Sequence, residues 1–261
     1  MALPLPPMAD PAIAPTIAWL ASLMLLGLLL LLRPTLLVRH LLAPLLPQVI
    51  FHGDGRRREL ALTIDDGPSP PATGRSDGPH QSGSMALLEL LRELQVPATL
   101  FVISGNLDQG DPAFLEKALA DGHGIGHHMN VDSVSARLHP ASFEQAFDQA
   151  AARIQSAASP TPLRLHWFRP GGGWIRASML RSIRARNYRL VLASIFPWDT
   201  FHPPLAWMRW FMLSNAHPGA ILVLHDRPDT LPATMELLRR VVPDLRQRGY
   251  RFVTLDHLLN T

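Results

Sequence analysis

The feature that most limits the fold is an alternation running from about residue 59 to the end of the chain. The runs ELALTID (59–65), ATLFVIS (98–104), HWFRP (166–170), YRLVLAS (188–194), AILVLHD (220–226) and YRFVTL (250–255) are short, apolar and rich in strand formers. Between them lie MALLELLRELQ (85–95), DPAFLEKALADG (111–122), ASFEQAFDQAAARIQSA (141–157), ASMLRSIRARN (177–187), LAWMRWFMLSNA (205–216) and TMELLRRVVPDLRQRG (234–249), which read as helices. Strand followed by helix, repeatedly, predicts a parallel α/β architecture. Asp65, Asp66, Arg169, Asp199 and His225 fall at or near the carboxyl ends of strands, the edge where parallel α/β folds build their sites. The polar loop SPPATGRSDGPHQSGS (69–84) follows the first strand and overhangs the same edge, as a substrate-contact loop or a tolerated insertion.

The chain before this alternation has a different character. From Ile13 to Leu32 there are twenty residues without a charge, about 30 Å of helix and so enough for a bilayer core. Trp19 at one end and Arg33 with Pro34 at the other mark interfaces. No basic segment precedes the run and no small-x-small site follows it, which favours an uncleaved transmembrane anchor over a signal peptide. LLVRHLLAPLLP (36–47) then suits a membrane surface. The division expected is an anchor and juxtamembrane segment over 1–52 and one domain over 53–261, giving a single-pass membrane protein. Arg33, Arg39, Arg56, Arg57 and Arg58 all follow the anchor, and the positive-inside rule favours a cytoplasmic domain, though one span with a short tail leaves the side open.

Composition narrows the chemistry. The absence of Cys removes thiol nucleophiles, disulfides and Cys-ligated zinc. The net charge of +3 describes no basic face, so nucleic acid is not expected as a partner; no obligate protein partner is read either. Three clusters remain. Asp65 and Asp66 stand side by side before Gly67-Pro68, where a turn can bring both carboxylates into one pocket, one to bind a metal and one to act as a base. The alternative is a simple Asp-Gly turn. His123, His127 and His128 precede Asp132; the four-residue spacing from His128 to Asp132 puts both on one face of a helical turn, with ligand types suited to zinc, cobalt, nickel or iron. Solvated loop histidines would read the same way. His225-Asp226 ends an apolar run, as a proton donor or a core histidine.

In order, TIDDGP, GHGIGHHMNVD, RLHWFRPGGG and ILVLHD resemble the motifs of the NodB-homology polysaccharide deacetylases, and in particular a chitin-deacetylase-like branch with a WFRPG third motif. The resemblance spans about residues 58–258. It implies a distorted (β/α) barrel of about seven parallel strands and one divalent metal, usually zinc, with cobalt, nickel, iron or manganese as alternatives. Residue by residue, it implies Asp65 as catalytic base, Arg169 as the group that holds it, His225 as general acid and Asp199 as the carboxylate orienting that acid. The metal would be held by Asp66, His128 and Asp132; the family commonly has a second histidine where Asp132 stands, and the exchange lowers the formal charge of the site by one unit. Gly172 would offer a backbone N–H to the oxyanion. Trp174 and Trp198 would stack on sugar rings; Trp167 also flanks the site but suits core packing equally. Trp207 and Trp210 read as one helix's packed face. The activity implied is removal of N-acetyl groups from an N-acetylated amino-sugar polymer or oligosaccharide. The alternatives are another amide, a lipid-linked amino sugar, or a non-catalytic membrane-tethered carbohydrate-binding relative.

Overall fold

The computed structural model describes residues 13–70, 83–161 and 163–260. The first helix, α1 (Ile13–Leu32), carries the uncharged run. A stretch of short helical turns over 34–45 leads to β1 (Val49–Ile50), and then the alternation begins: β2 (Glu59–Asp65), α2 (Ser84–Glu93), β3 (Thr99–Val102), α3 (Phe114–Ala120), β4 (Gly124–His127), α4 (Pro140–Ala157), β5 (Trp167–Phe168), α5 (Ala177–Ala185), β6 (Arg189–Val191), α6 (Leu205–Asn215), β7 (Ala220–His225), α7 (Leu231–Gln247) and β8 (Arg251–Val253).

All strand pairings are parallel, in the order β1-β6-β5-β4-β3-β2-β7. β8 pairs with the lower half of β2, below the point where β3 begins. A parallel bridge from Ile195 to Leu222 brings the chain after β6 against β7, so the sheet curls toward closure. This is the expected α/β barrel, with two strands the sequence concealed. β1 lies before the boundary drawn at 52/53 yet joins the sheet through Val49↔Leu190 and Ile50↔Val191. β4 was expected to be a loop or the start of a helical turn, but Gly124–His127 is a strand between β3 and β5.

Two apolar clusters hold the fold. The larger lies between sheet and helices and includes Leu60, Leu62, Ile64, Phe143, Phe147, Phe168, Val241 and Leu245. The smaller contains Ala61, Phe101, Trp167, Val191, Ile221, Val253, Leu255 and Leu258. Its strand members have the opposite parity from the larger cluster, and so fill the barrel interior. Phe101 is the central plug. A Cβ at Gly126, on the neighbouring strand, would come within 2.5–2.6 Å of its ring. Glycine is therefore what lets an aromatic fill the barrel at this level. Trp167 is wholly buried and donates from Nε1 to Asp256, so its role is packing. In α6, Trp207 stacks on the buried Phe211, whereas Trp210 faces out, contrary to the expected packed face.

At the N-terminal end the expected transmembrane helix is not borne out as such: among the described residues, no helix is long and apolar enough to cross a membrane. The backbone of α1 has the length, but its described side chains run over 16–28 and 31–32. The segment after it docks on the domain. Asn215 Nδ2 donates to the Leu32 carbonyl at 3.0 Å, Arg33 donates to the Ser214 carbonyl, and the Thr35 hydroxyl lies 3.2 Å from the Ser194 carbonyl.

The plug generates a testable expectation. Gly126→Ala should cost about 1–3 kcal/mol of stability through overpacking, measured by denaturant unfolding. Adding Phe101→Leu should recover part of that loss; an unchanged midpoint in the single variant would refute the close-packing account.

Candidate active site

Alternation along the strands selects the site. Asp65 shares its face with Ala61 and Thr63, Arg169 with Trp167, and His225 with Ile221 and Val223. All three therefore lie above the apolar plug at the carboxyl edge. Asp65 and His225 are register partners on β2 and β7, so their Cα atoms are about 4.8 Å apart. The site sits where the carboxyl ends of β2 and β7 meet.

Arg169 is 4% exposed and makes the most contacts. Its Nη1 donates to Asp65 Oδ1 at 2.6 Å and to Thr63 Oγ1 at 2.8 Å. Nε donates to the Val191 carbonyl at 3.1 Å and Nη2 to the Leu192 carbonyl at 3.2 Å. The guanidinium carbon lies 4.1 Å from the Phe101 ring centroid. Burial lowers the Arg169 pKa, against the charge and hydrogen bond of Asp65, but an arginine starts so high that it stays charged.

Asp66 adopts φ +72°. This left-handed turn brings the second carboxylate to the same pocket as the first, as the Asp-Asp pair allowed. His128 joins them: its Nε2 is 3.3 Å from Asp66 Oδ1 and 3.9 Å from Asp65 Oδ2, while its Nδ1 lies 2.7 Å from the Arg169 carbonyl. Burial works against both charged forms. It is outweighed at Asp66 by the hydrogen bond and charge of His128, with His225 and Arg227 beyond, which lower the carboxyl. At His128, Asp65 and Asp66 outweigh burial and raise the imidazole. The Nδ1–H donates to the carbonyl, leaving Nε2 aimed at a carboxylate oxygen. Imidazole nitrogen and carboxylate oxygen facing each other suit either a shared proton or a divalent cation, so the pair fits the metal the resemblance implies.

The third expected ligand is elsewhere. Among the described residues no group of three His, Cys, Asp or Glu side chains is placed to hold a metal. Asp132 is 52% exposed in its side chain, and its Oδ2 accepts from Arg227 Nη1 at 3.0 Å. The spacing argument failed because 128–134 is not helical: Met129 has φ +66° and the chain bends through 130–133. The other two histidines are structural. His123 Nδ1 accepts the Ala98 N–H at 3.1 Å. His127 stacks on Phe147, pairs with its carbonyl at 3.0 Å and is pushed down to about 4 by burial.

His225 is held from below and beside. Its backbone N–H donates to Asp199 Oδ2 at 2.8 Å and its Nδ1 lies 3.0 Å from Asp199 Oδ1. Burial alone would lower its pKa, but the hydrogen bond and charge of Asp199, then the charges of Asp65 and Asp66, raise it. Behind it, Asp226 is buried and pushed up to about 6 by that burial; Ser84 donates to it, and Ser69 donates to its carbonyl at 2.7 Å. Ser69 and Ser84 are the two ends of the long loop, whose residues 71–82 lie outside the described residues. Gly172 has φ +68° in an exposed turn, and the Cβ of any residue at Gly171 would meet the Ser133 carbonyl at 2.0 Å. Trp174 stands 67% exposed and Trp198 half-buried. Sequence reasoning missed Thr63, Arg227, Phe196 and Phe201. Phe196 lies 5.6 Å from His225, and the 73%-exposed Phe201 lies 6.0 Å from Trp198. Parity with Asp65 could have found Thr63, and its place two residues beyond His225 could have found Arg227.

The carboxyl edge of the parallel barrel thus pairs a guanidinium-held carboxylate with a carboxylate-held imidazole, two groups able to take up and give back a proton. The polysaccharide deacetylase family model matches residues 52–191, and the chain belongs to that family; its curated relatives are deacetylases, hydrolases acting on carbon–nitrogen bonds. It is 29% identical over 202 residues to a peptidoglycan-N-acetylglucosamine deacetylase of Bacillus cereus, covering 77% of this chain and 87% of that one. It is likewise 29% identical over 209 residues to a chitooligosaccharide deacetylase of Rhizobium leguminosarum bv. trifolii, covering 76% and 90%. The fold matches the crystal structure of the Bc1960 peptidoglycan N-acetylglucosamine deacetylase with a TM-score of 0.72 at 24% identity, over 82% of this chain and 94% of that one.

Asp199→Asn should lower the His225 pKa, read from imidazole resonances by NMR. In the native protein the raised pKa stabilises the fold fully below about pH 6.5, and that contribution is lost as pH rises through the folded value. The variant should lose this pH dependence; an unshifted His225 titration would remove Asp199 from its orienting role.

Proposed function

We propose that the chain hydrolyses the N-acetyl amide of an amino sugar in a polysaccharide or oligosaccharide of the chitin or peptidoglycan type, releasing acetate and a free amine. The observation that carries this reading is the register pairing of Asp65 with His225, each fixed by its own ion-pair partner. Asp65, with Oδ1 committed to Arg169, takes the proton of the attacking water as general base. The water oxygen bonds to the carbonyl carbon. The backbone N–H at Gly172 meets the oxygen that gains charge. His225, oriented by Asp199, gives its proton to the nitrogen as the carbon–nitrogen bond breaks. Trp174, Trp198 and Phe201 offer faces on which neighbouring sugar rings stack.

One divalent cation, zinc by donor type with cobalt, nickel, iron or manganese as alternatives, would be held by Asp66 and His128, with Asp132 as the third ligand. Bound there, such an ion supplies Lewis acidity toward the amide oxygen and its water. One neighbouring function is a second reading of the same site. A lipid-linked amino sugar is favoured by the docking of Leu32, Arg33 and Thr35 on the domain, which would keep the pocket at a fixed distance from a membrane. We further propose that the segment around α1 attaches the chain to a membrane, since Trp19, Leu20, Leu23, Met24 and Leu25 are all more than 60% exposed, and burying each such side chain in lipid gains about 1.5–3 kcal/mol.

Two measurements test this. Incubated with N-acetylated chito-oligosaccharides, the full chain should release acetate, and Asp65→Asn should cut kcat by about a hundredfold or more while bound metal is unchanged. Native turnover in that variant would sink the role of Asp65, and bound metal without acetate release would point to another amide. Deleting residues 13–32 should move the protein from the membrane fraction to the supernatant; persistence with membranes would overturn the attachment through α1.

A further inference from the structure

Resting on the metal reading above, we propose that Arg227 competes with the divalent cation for Asp132: the carboxylate rests on Arg227 at the mouth of the site and turns to the ion, beside Asp66 and His128, when the ion enters. Three observations carry this. The Asp132–Arg227 contact at 3.0 Å is exposed on both sides, 52% and 39%, so it is a weakly held pair rather than a buried fixture. Arg227 has a second acidic neighbour, with Nε 3.3 Å from Asp229 Oδ1, and so keeps a counter-charge when Asp132 leaves. Asp229 itself lies 3.4 Å from His202 Nε2 and belongs to the same rim.

A carboxylate in place of a neutral imidazole thus gives a ligand that can be stored on a cation when the metal is absent. A neutral imidazole would rest there less tightly, because it offers the guanidinium one lone pair and no charge.

The experiment is a Zn2+ titration of the full chain at fixed low ionic strength, against a chromophoric chelator. Arg227→Gln should bind zinc about fivefold more tightly, the scale of one exposed ion pair. Asp132→Asn should bind about tenfold more weakly. Adding Arg227→Gln to Asp132→Asn should recover little, and Arg227→Lys should behave like the native chain. An unchanged or weaker affinity in Arg227→Gln overturns the proposal. So does a gain of equal size in the Asp132→Asn background, which would show general repulsion without competition. Failure of the metal reading itself looks different: the native chain and Asp66→Asn would then be indistinguishable, with neither taking up zinc.

Discussion

The rest of the site hangs on how Arg169 is held. A guanidinium taken out of water loses several kcal/mol of hydration, and this one regains it through donation to Asp65, Thr63 and two backbone carbonyls and through its position over Phe101. Those partners come from β2 and from the end of β6 and the residue after it, so the side chain ties strands on different sides of β5 to one another. Its own backbone carbonyl meets His128 Nδ1. One residue therefore orients both the carboxylate assigned to proton transfer and the imidazole assigned to the cation. Removing the side chain would leave Asp65 buried without a countercharge and would also loosen the strand end that holds His128.

The two halves of the site differ in how ready they are. On the acid–base half, Asp65 and His225 are each fixed by an ion pair and by register, before anything binds. On the other half, Asp66 and His128 face each other in place, while Asp132 is engaged with Arg227. Preorganisation is concentrated where the proposed reaction would move a proton, and adaptability where a cation would sit.

Much of this was legible from the residues. Alternation gave the parallel sheet, because each apolar run had the length of one element and a stop signal after it. The ends of those runs then put Asp65, Arg169 and His225 on one edge of the sheet. What escaped the sequence did so for identifiable reasons. β4 is GIGH, and two glycines with a histidine hide a strand; its glycine is there to clear the Phe101 ring, a contact from another strand that no local window contains. β1 is two residues long and owes its existence to pairing with β6. Asp132 was assigned through a helical spacing, and a left-handed Met129 removes the helix. The aromatic rim at Phe196 and Phe201 depends on left-handed turns at Trp198 and His202, which bulky residues seldom adopt.

The filled barrel has a consequence for traffic. With Phe101, Trp167 and Ile221 packed beneath the site, the strand interior is, among the described residues, a filled floor. Whatever reaches Asp65 and His225 comes in from the carboxyl face, and whatever is released goes out by the same doorway. Under the proposed reaction a small carboxylate product would leave by a face that carries Arg227 and His202, so a guanidinium stands near the path of a departing anion.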